Sequence, residues 1–287
     1  MMGRPQAGCV QLPGNPALHL RSVPFAQATG AQWTGTRERV VEMRLPYARA
    51  VRAPGAAGVD PRAIMAVLDH ACGVAVFASL DSPVPIATLD LRVAFQRAAP
   101  AGADIVLTAR ATHVAGMTAF VEAAAHAADG EPALVTASGA FMVGAHPGGA
   151  SKNESGDMWQ STRVFESGDL SLLDSFDEFL CLARHGQHVR MEFSDRLIGA
   201  VSLPALHGGT VAALLATAAC DLAGTQGATR LVAMTIQYLR AGRAETVTAA
   251  AEWEKRGARS GVVAVVARQS HGSREVARAQ CTFVGDA

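Results

Sequence analysis

The sequence has no excess of charge of either sign and no long apolar run. Lys and Arg number 25, Asp and Glu number 25, and charged residues make up only 17% of the chain. Such a balance offers no electrostatic footprint for a phosphate backbone, and no nucleic-acid partner is expected. The most apolar stretch, around residues 210–220, falls short of the ~20 residues that span a bilayer, so no membrane partner is expected. Cysteine is scarce and unpatterned. Cys9, Cys72, Cys181, Cys220 and Cys281 form no C-x-x-C step, and Cys72, Cys220 and Cys281 lie inside apolar segments. That is the usage of buried, reduced thiols in a cytoplasmic protein. The opening "MMGRPQAGCVQLPGNPALHLRSVPF" has one early arginine but no sustained apolar region, and it does not read as a signal peptide. There is no Gly-rich phosphate loop of the dinucleotide or Walker kind, and Trp33, Trp159 and Trp253 support no cofactor. Neither a cofactor nor a metal is expected.

What the sequence does contain is a repeat. "VDPRAIMAVLDHACGV" (59–74) aligns without gaps on "LHGGTVAALLATAACD" (206–221), and both read as apolar helices with a turn-forming start. Each is followed by apolar-alternating segments rich in Val, Thr and aromatics, over 86–144 and 230–285. Gly-containing turns ("APAGAD", "HVAGMT", "ADGEP"; "RAGRAE", "RGARSG", "SHGSRE") divide each into four strands of hairpin type. Phe95 and Phe141 are 46 residues apart, and Tyr238 and Phe283 are 45 apart, so the halves are related units. Ahead of each helix lies a shorter extended stretch, "ERVVEMRLPY" (38–47) and "GQHVRMEFSD" (186–195). "LSLLDSFDEFLCLAR" (170–184) has helical spacing and predicts a leading helix, with "VPFAQATG" (23–30) as its shorter counterpart. The Gly/Ser-rich "GAHPGGASKNESGD" (144–157) reads as a linker. The expectation is an α+β chain of two domains, 23–144 and 170–287, joined by 145–169. Each is an antiparallel sheet around one long helix.

The helix at 206–223 opens on two glycines, which leave bare N–H groups at its positive end. Such an end commonly works with an acid one or two turns on, yet Ala216 stands there and the first carboxylate is Asp221. The first half has an acid, Asp69, but opens on Asp60-Pro61-Arg62. Asp60-Pro61 reads as an N-cap followed by proline at the first helical position. His70, beside Asp69, reads as a structural or surface histidine, because adjacent helix residues point about 100° apart. "DHAC" is not a zinc spacing either.

This order of strand, strand, His-Gly-Gly helix and four strands resembles the hotdog fold, in particular acyl-CoA thioesterases of the PaaI-like type. The resemblance covers about residues 23–144 and 170–285. It implies that the two units pair side by side into one continuous sheet, with both helices against it and active sites at the interface. The family motif is His-Gly-Gly, an acid nine residues after the His, and Thr or Ser near the start of the next strand. His207-Gly208-Gly209 satisfies the first part; Asp69 and Thr88 satisfy the rest in the other half, and the second-half counterpart of Thr88, near Leu231, is apolar. Since the family takes helix start and carboxylate from different units, one intact composite site is implied. The opposite pairing, Pro61 with Ala216, is dead because proline has no N–H to donate.

The resemblance further implies an acyl-CoA substrate, with coenzyme A only as part of it. In the implied roles, the Gly208 N–H stabilises the oxyanion, with Gly209 beside it against the substrate. Asp69 activates water or attacks the carbonyl itself. Thr88 orients the water or the carboxylate, and His207 shapes the helix start. Arg97, Arg240 and Arg243, in the turns after the central strands, are candidates for the phosphates. Val201 stands where the family often has Asn six residues before the His, so a second carbonyl contact is expected to be missing. Met65, Phe77, Phe95, Met234 and Tyr238 are expected to line the acyl pocket, and further homo-oligomerisation of the fused pair is expected. The alternative is a non-catalytic acyl-CoA-binding hotdog protein with a vestigial Asp69. A hydratase is disfavoured, because no "GDxNP…H" step or relocated His/Glu pair is visible.

Overall fold

The computed structural model describes residues 23–144 and 170–285, apart from 83, 129, 131, 187, 201–204, 225–228, 270 and 271. The expected linker, the N-terminal tail and Val201 lie outside the described residues. The first half comprises α1 (Pro24–Thr29), β1 (Gln32–Arg37), β2 (Val40–Leu45), α2 (Pro61–Phe77), β3 (Ile86–Phe95), β4 (Ile105–Ala115), β5 (Thr118–Ala127) and β6 (Val135–Val143). The second comprises α3 (Phe176–Phe179), β7 (Leu182–His185), β8 (His188–Met191), β9 (Ile198–Ala200), β10 (Ala205–Leu206), α4 (Gly208–Gly224), β11 (Thr229–Tyr238), β12 (Val247–Arg256), β13 (Ser260–Gln269) and β14 (Arg274–Gly285).

A helix that is apolar all round must be buried all round. Every residue of α2 from Ala63 to Phe77 is buried, as is every residue of α4 from Gly209 to Ala219. Both helices pack against a single twelve-stranded antiparallel sheet and against each other. The strand order is β1-β2-β4-β5-β6-β3-β11-β14-β13-β12-β8-β7, which is unchanged when the halves are exchanged. Pairing of β3 with β11, centred where Arg92 faces Thr235, joins the two halves into one surface. These are tandem hotdog domains. Among the described residues no helix is long and apolar enough to cross a membrane. Cys72 and Cys281 are buried, Cys181 and Cys220 are half-buried, and all four are free thiols.

Two expectations are corrected. β3 does not form a hairpin with β4; it pairs with β6 and β11, so "APAGAD" and "RAGRAE" are crossings. Each crossing lies against the chain that enters its own unit's central helix, through bridges Gly58 to Ala101 and Ala205 to Arg243. Nor is 170–184 one helix. Only Phe176–Phe179 is α-helical, because Cys181 takes a φ of 53° that ends it, and Leu182–His185 pairs with β8. The short leading helices are exchanged between halves. α1 packs on Asp195–Leu197 and β9, and α3 packs on Arg49–Val51, where the Phe176 N–H donates to the Arg52 carbonyl at 2.9 Å.

Candidate active site

The two central helices meet where α4 begins. A Cβ on Gly209 would stand 2.5 Å from the carbonyl oxygen of Ala66 and 2.6 Å from its Cα. Glycine is required here so that the start of α4 can lie against the backbone of α2. This contact carries the opening of one half's helix to Asp69 of the other. A Cβ on Gly208 would meet Asp69 Oδ2 at 2.8 Å and Thr88 Oγ1 at 3.3 Å. The space in front of Gly208 is therefore walled by the carboxylate.

Thr88 reaches Asp69 because of a β-bulge. Leu91, Val93 and Phe95 face the helices, and strict alternation would turn Leu89 inward. The register shift between Thr88 and Asp90 changes the phase, so the Thr88 hydroxyl donates to Asp69 Oδ1 at 2.9 Å. β11 has the same shift between Leu231 and Ala233, placing apolar Leu231 at the corresponding point of the other half. Asp69 is 3% exposed. Burial pushes its carboxyl up to about 6, against the opposing hydrogen bonds from Thr88 and the Gly209 N–H.

His207 is the N-cap of α4. Its carbonyl accepts from the Thr210 N–H at 3.0 Å, and its Nδ1 accepts from the Gly209 N–H at 3.0 Å. The Gly208 N–H has no acceptor among the described residues, and it is the donor left over at the positive end of the helix. Three further side chains complete the site: Tyr238, expected from the sequence only in the acyl pocket wall, and Phe25 and His70, which the sequence does not place there. The Tyr238 hydroxyl donates to the Gly208 carbonyl at 3.0 Å, fixing that peptide plane. Phe25 of α1 stacks on the His207 ring, with centroids 4.3 Å apart. His70 is buried rather than on the surface, its Nδ1 3.4 Å from His207 Nε2. Tyr238 had a signal in the sequence: it aligns with Phe95, so the hydroxyl occurs only in the half that also has the glycines.

The equivalent corner of the other half is filled with charge. Asp60 caps α2 by accepting from the Arg62 N–H at 2.8 Å, as the Asp-Pro step predicts. Arg62, at the place of Gly209, pairs with Asp60 at 2.6 Å and with Asp177 of α3 at 2.7 Å, and donates to Thr217 at 2.6 Å. Burial opposes the Arg62 charge, but Asp60 and Asp177 outweigh it and hold the guanidinium above its ordinary value. The ion-pair cluster thus flanks Pro61 in sequence and reaches Thr217, the neighbour of Ala216. Arg62→Leu is expected to destabilise the fold by about 3–5 kcal/mol, because the buried Asp60 loses its guanidinium partner, while Asp177 keeps Arg184 at 2.8 Å. Urea unfolding should show that loss, while kcat of the folded fraction stays unchanged.

The arginines separate. β3 and β11 are antiparallel neighbours, so the turns after them lie at opposite ends. Arg97 is nine residues beyond Thr88, roughly 30 Å along the strand direction, and belongs to the Pro61 end. Arg240 and Arg243 belong to the Gly208 end, where the Leu206 N–H donates to the Gly242 carbonyl at 2.9 Å. Arg274, unsingled in the sequence, joins them: its guanidinium donates to the Ala241 carbonyl at 3.0 Å. Burial, then the charges of Arg243 and Arg240, push it below its ordinary value, with Glu245 opposing. Met65 and Met234 are fully buried core residues rather than pocket wall. An open cavity of about 540 Å³ lies between Gln27–Gly30 and Pro46–Val51 and includes none of the predicted site residues. No cluster of metal-ligating residues occurs among the described residues.

A paired-helix, twelve-stranded sheet with a carboxylate from one half at a glycine helix start from the other defines a tandem hotdog protein. Comparison with known proteins agrees. The thioesterase superfamily model matches residues 63–133, and the acyl-CoA thioesterase N-terminal domain model matches residues 200–284, together more than half of the chain. Comparison with curated proteins gives no match. Among solved structures, the chain is similar to the tesB protein of Mycobacterium avium subsp. paratuberculosis, with a TM-score of 0.62, 10% identity, and coverage of 92% of this chain and 98% of that one. It is similar to a conserved protein of unknown function with a hot dog fold from Alicyclobacillus acidocaldarius, with a TM-score of 0.60, 14% identity and coverage of 92% and 98%. It is also similar to acyl-CoA thioesterase II TesB2 of Mycobacterium marinum, with a TM-score of 0.54, 9% identity and coverage of 91% and 96%. At these identities the structural likeness is one of fold. The chain belongs to the hotdog-fold thioesterase superfamily, in its tandem form.

Proposed function

We propose that this protein hydrolyses a small or medium acyl-CoA or aroyl-CoA thioester at one composite site per chain. The observation that carries the reading is the meeting of Asp69 Oδ2 with the space in front of Gly208, each supplied by a different half. The thioester oxygen takes the free Gly208 N–H, and Asp69 faces the carbonyl carbon. In the water route, Asp69 accepts a proton as the water oxygen bonds to that carbon. Collapse then breaks the C–S bond, and the proton passes to the departing thiolate. Direct attack by Asp69, followed by hydrolysis of the anhydride, uses the same geometry. A carboxyl held near 6 is ionised at neutral pH yet remains basic enough to take the proton. The PaaI-like character rests on the His-Gly-Gly, acid and Thr spacing divided between the halves.

Arg240, Arg243 and Arg274 form an electropositive group one turn of chain from the helix start, suited to the phosphates of the coenzyme A moiety. Arg97 has no part in this site. Arg243→Gln is expected to raise KM about tenfold with kcat little changed, as loss of one charge-assisted contact to a substrate phosphate does. Steady-state kinetics at low and high salt measure this, with the smaller effect at high salt.

The reading is tested by thiol release from a panel of acetyl-, hexanoyl-, benzoyl- and phenylacetyl-CoA. Turnover of at least one member supports it. Tight binding of these thioesters with no thiol release would make this a binding protein with a vestigial Asp69.

A further inference from the structure

We infer that His70 is a positioning residue, which selects the tautomer of His207 and thereby holds the start of α4 in its donor geometry. The kinetic consequence rests on the thioesterase reading above; the tautomer rests on geometry alone. A backbone N–H can only donate, so the Gly209 N–H at 3.0 Å requires a lone pair on His207 Nδ1. A neutral imidazole with that lone pair carries its proton on Nε2. His207 Nε2 lies 3.4 Å from His70 Nδ1, which must then be the acceptor. The His70 ring comes from α2 and the His207 ring from the cap of α4, so the bond also ties the two helices together. Phe25, stacked at an interplanar angle of 27°, holds the His207 ring plane.

The alternative tautomer has a destination of its own. A proton on His207 Nδ1 would point at Asp69 Oδ2, 3.6 Å away, and the Gly209 N–H would lose its acceptor on His207 and be left with Asp69 alone. The carboxylate would then be occupied by its neighbour, and the first turn of α4 would lose its cap. His70 makes that state unfavourable by requiring the proton on the far nitrogen. The other half has a link between the same two positions with different chemistry. There Asp60 replaces His207, Thr217 replaces His70, and the Arg62 guanidinium spans them, at 2.6 Å from each. In both halves the helix cap is tied to the facing helix one residue past the acid position. Only the corner that holds Asp69 does so through a group whose tautomer matters.

The test uses nitrogen-15 NMR of the labelled full chain together with steady-state kinetics. Wild type should show His207 protonated at Nε2. His70→Phe, which fills the space without an acceptor, should give a mixed or Nδ1-protonated His207 and lower kcat about tenfold, with KM changed less than twofold. His70→Asn, whose amide oxygen can stand at the place of Nδ1, should restore the Nε2 form and most of kcat. An Nδ1-protonated His207 in wild type would overturn the proposal. So would a His70→Phe variant with unchanged tautomer and kcat. Absence of any hydrolysis by wild type would count against the thioesterase reading alone, and the His207 tautomer in the three proteins would still decide the role of His70.

Discussion

Gly208→Ala is expected to lower kcat by about 10²–10³, as much as removing one oxyanion donor would, because the thioester carbonyl can no longer reach the N–H, while the protein folds. The added methyl would stand 2.8 Å from Asp69 Oδ2, 3.3 Å from Thr88 Oγ1 and 3.5 Å from Tyr238 Cζ. Each of these atoms belongs to a side chain, so the neighbours can give way by a few tenths of an ångström. What is lost is the space between donor and carboxylate where a thioester carbonyl must lie. Gly209→Ala behaves differently, because its methyl would meet the Ala66 backbone at 2.5–2.9 Å. Neither helix axis can yield locally, and the cost falls on stability, about 1–3 kcal/mol or more. Kinetics and urea unfolding of the two variants separate a glycine required by substrate from a glycine required by packing.

Asp69→Asn is expected to reduce turnover by about 10²–10⁴, the contribution of a positioned general base, and at the same time to stabilise the fold above neutral pH. Asp69 rises from its ordinary 3.8 to about 6 in the folded protein, chiefly through burial. A group with a raised folded pKa binds its proton more tightly in the native state. Its favourable contribution is complete below about pH 4 and is lost as pH rises through about 6. Above that, the native protein holds a buried carboxylate at a cost of about 3 kcal/mol. Asparagine has no charge to bury and still accepts from Thr88. The gain in unfolding free energy should therefore be widest near pH 8 and vanish by about pH 4. The same ionisation predicts that wild-type kcat/KM rises with pH through about 6 and then stays level.

Much of this site was legible in the chain. The gapless match of 59–74 to 206–221 identifies the repeat, and the unequal survival of His-Gly-Gly, Asp69 and Thr88 identifies which corner keeps its chemistry. Local patterns carry such information because helix periodicity and strand alternation are set by neighbours in sequence. The crossing of β3 to β6 and β11 was not legible, since Gly-containing turns look alike whether a chain reverses into a hairpin or crosses over. The separation of Arg97 from Arg240 and Arg243 follows from that crossing and is equally invisible in the sequence. The exchange of α1 and α3 between halves is a tertiary event, and with it went the roles of Phe25 over His207 and Asp177 against Arg62. The sequence alone makes His70 structural or at the surface, because its neighbour Asp69 points elsewhere on the helix. Its partner stands 137 residues away.

The central claim is one site assembled from both halves, and the most direct measurement is thiol release from the acyl-CoA panel by wild type, one site variant from each half and a control variant at Pro61. Asp69→Asn and Gly208→Ala should both lose turnover while retaining the wild-type circular dichroism spectrum, and Pro61→Ala, at the equivalent of Gly208, should keep it. Wild-type turnover in either of the first two, or loss of turnover in a folded Pro61→Ala, would contradict a single composite site.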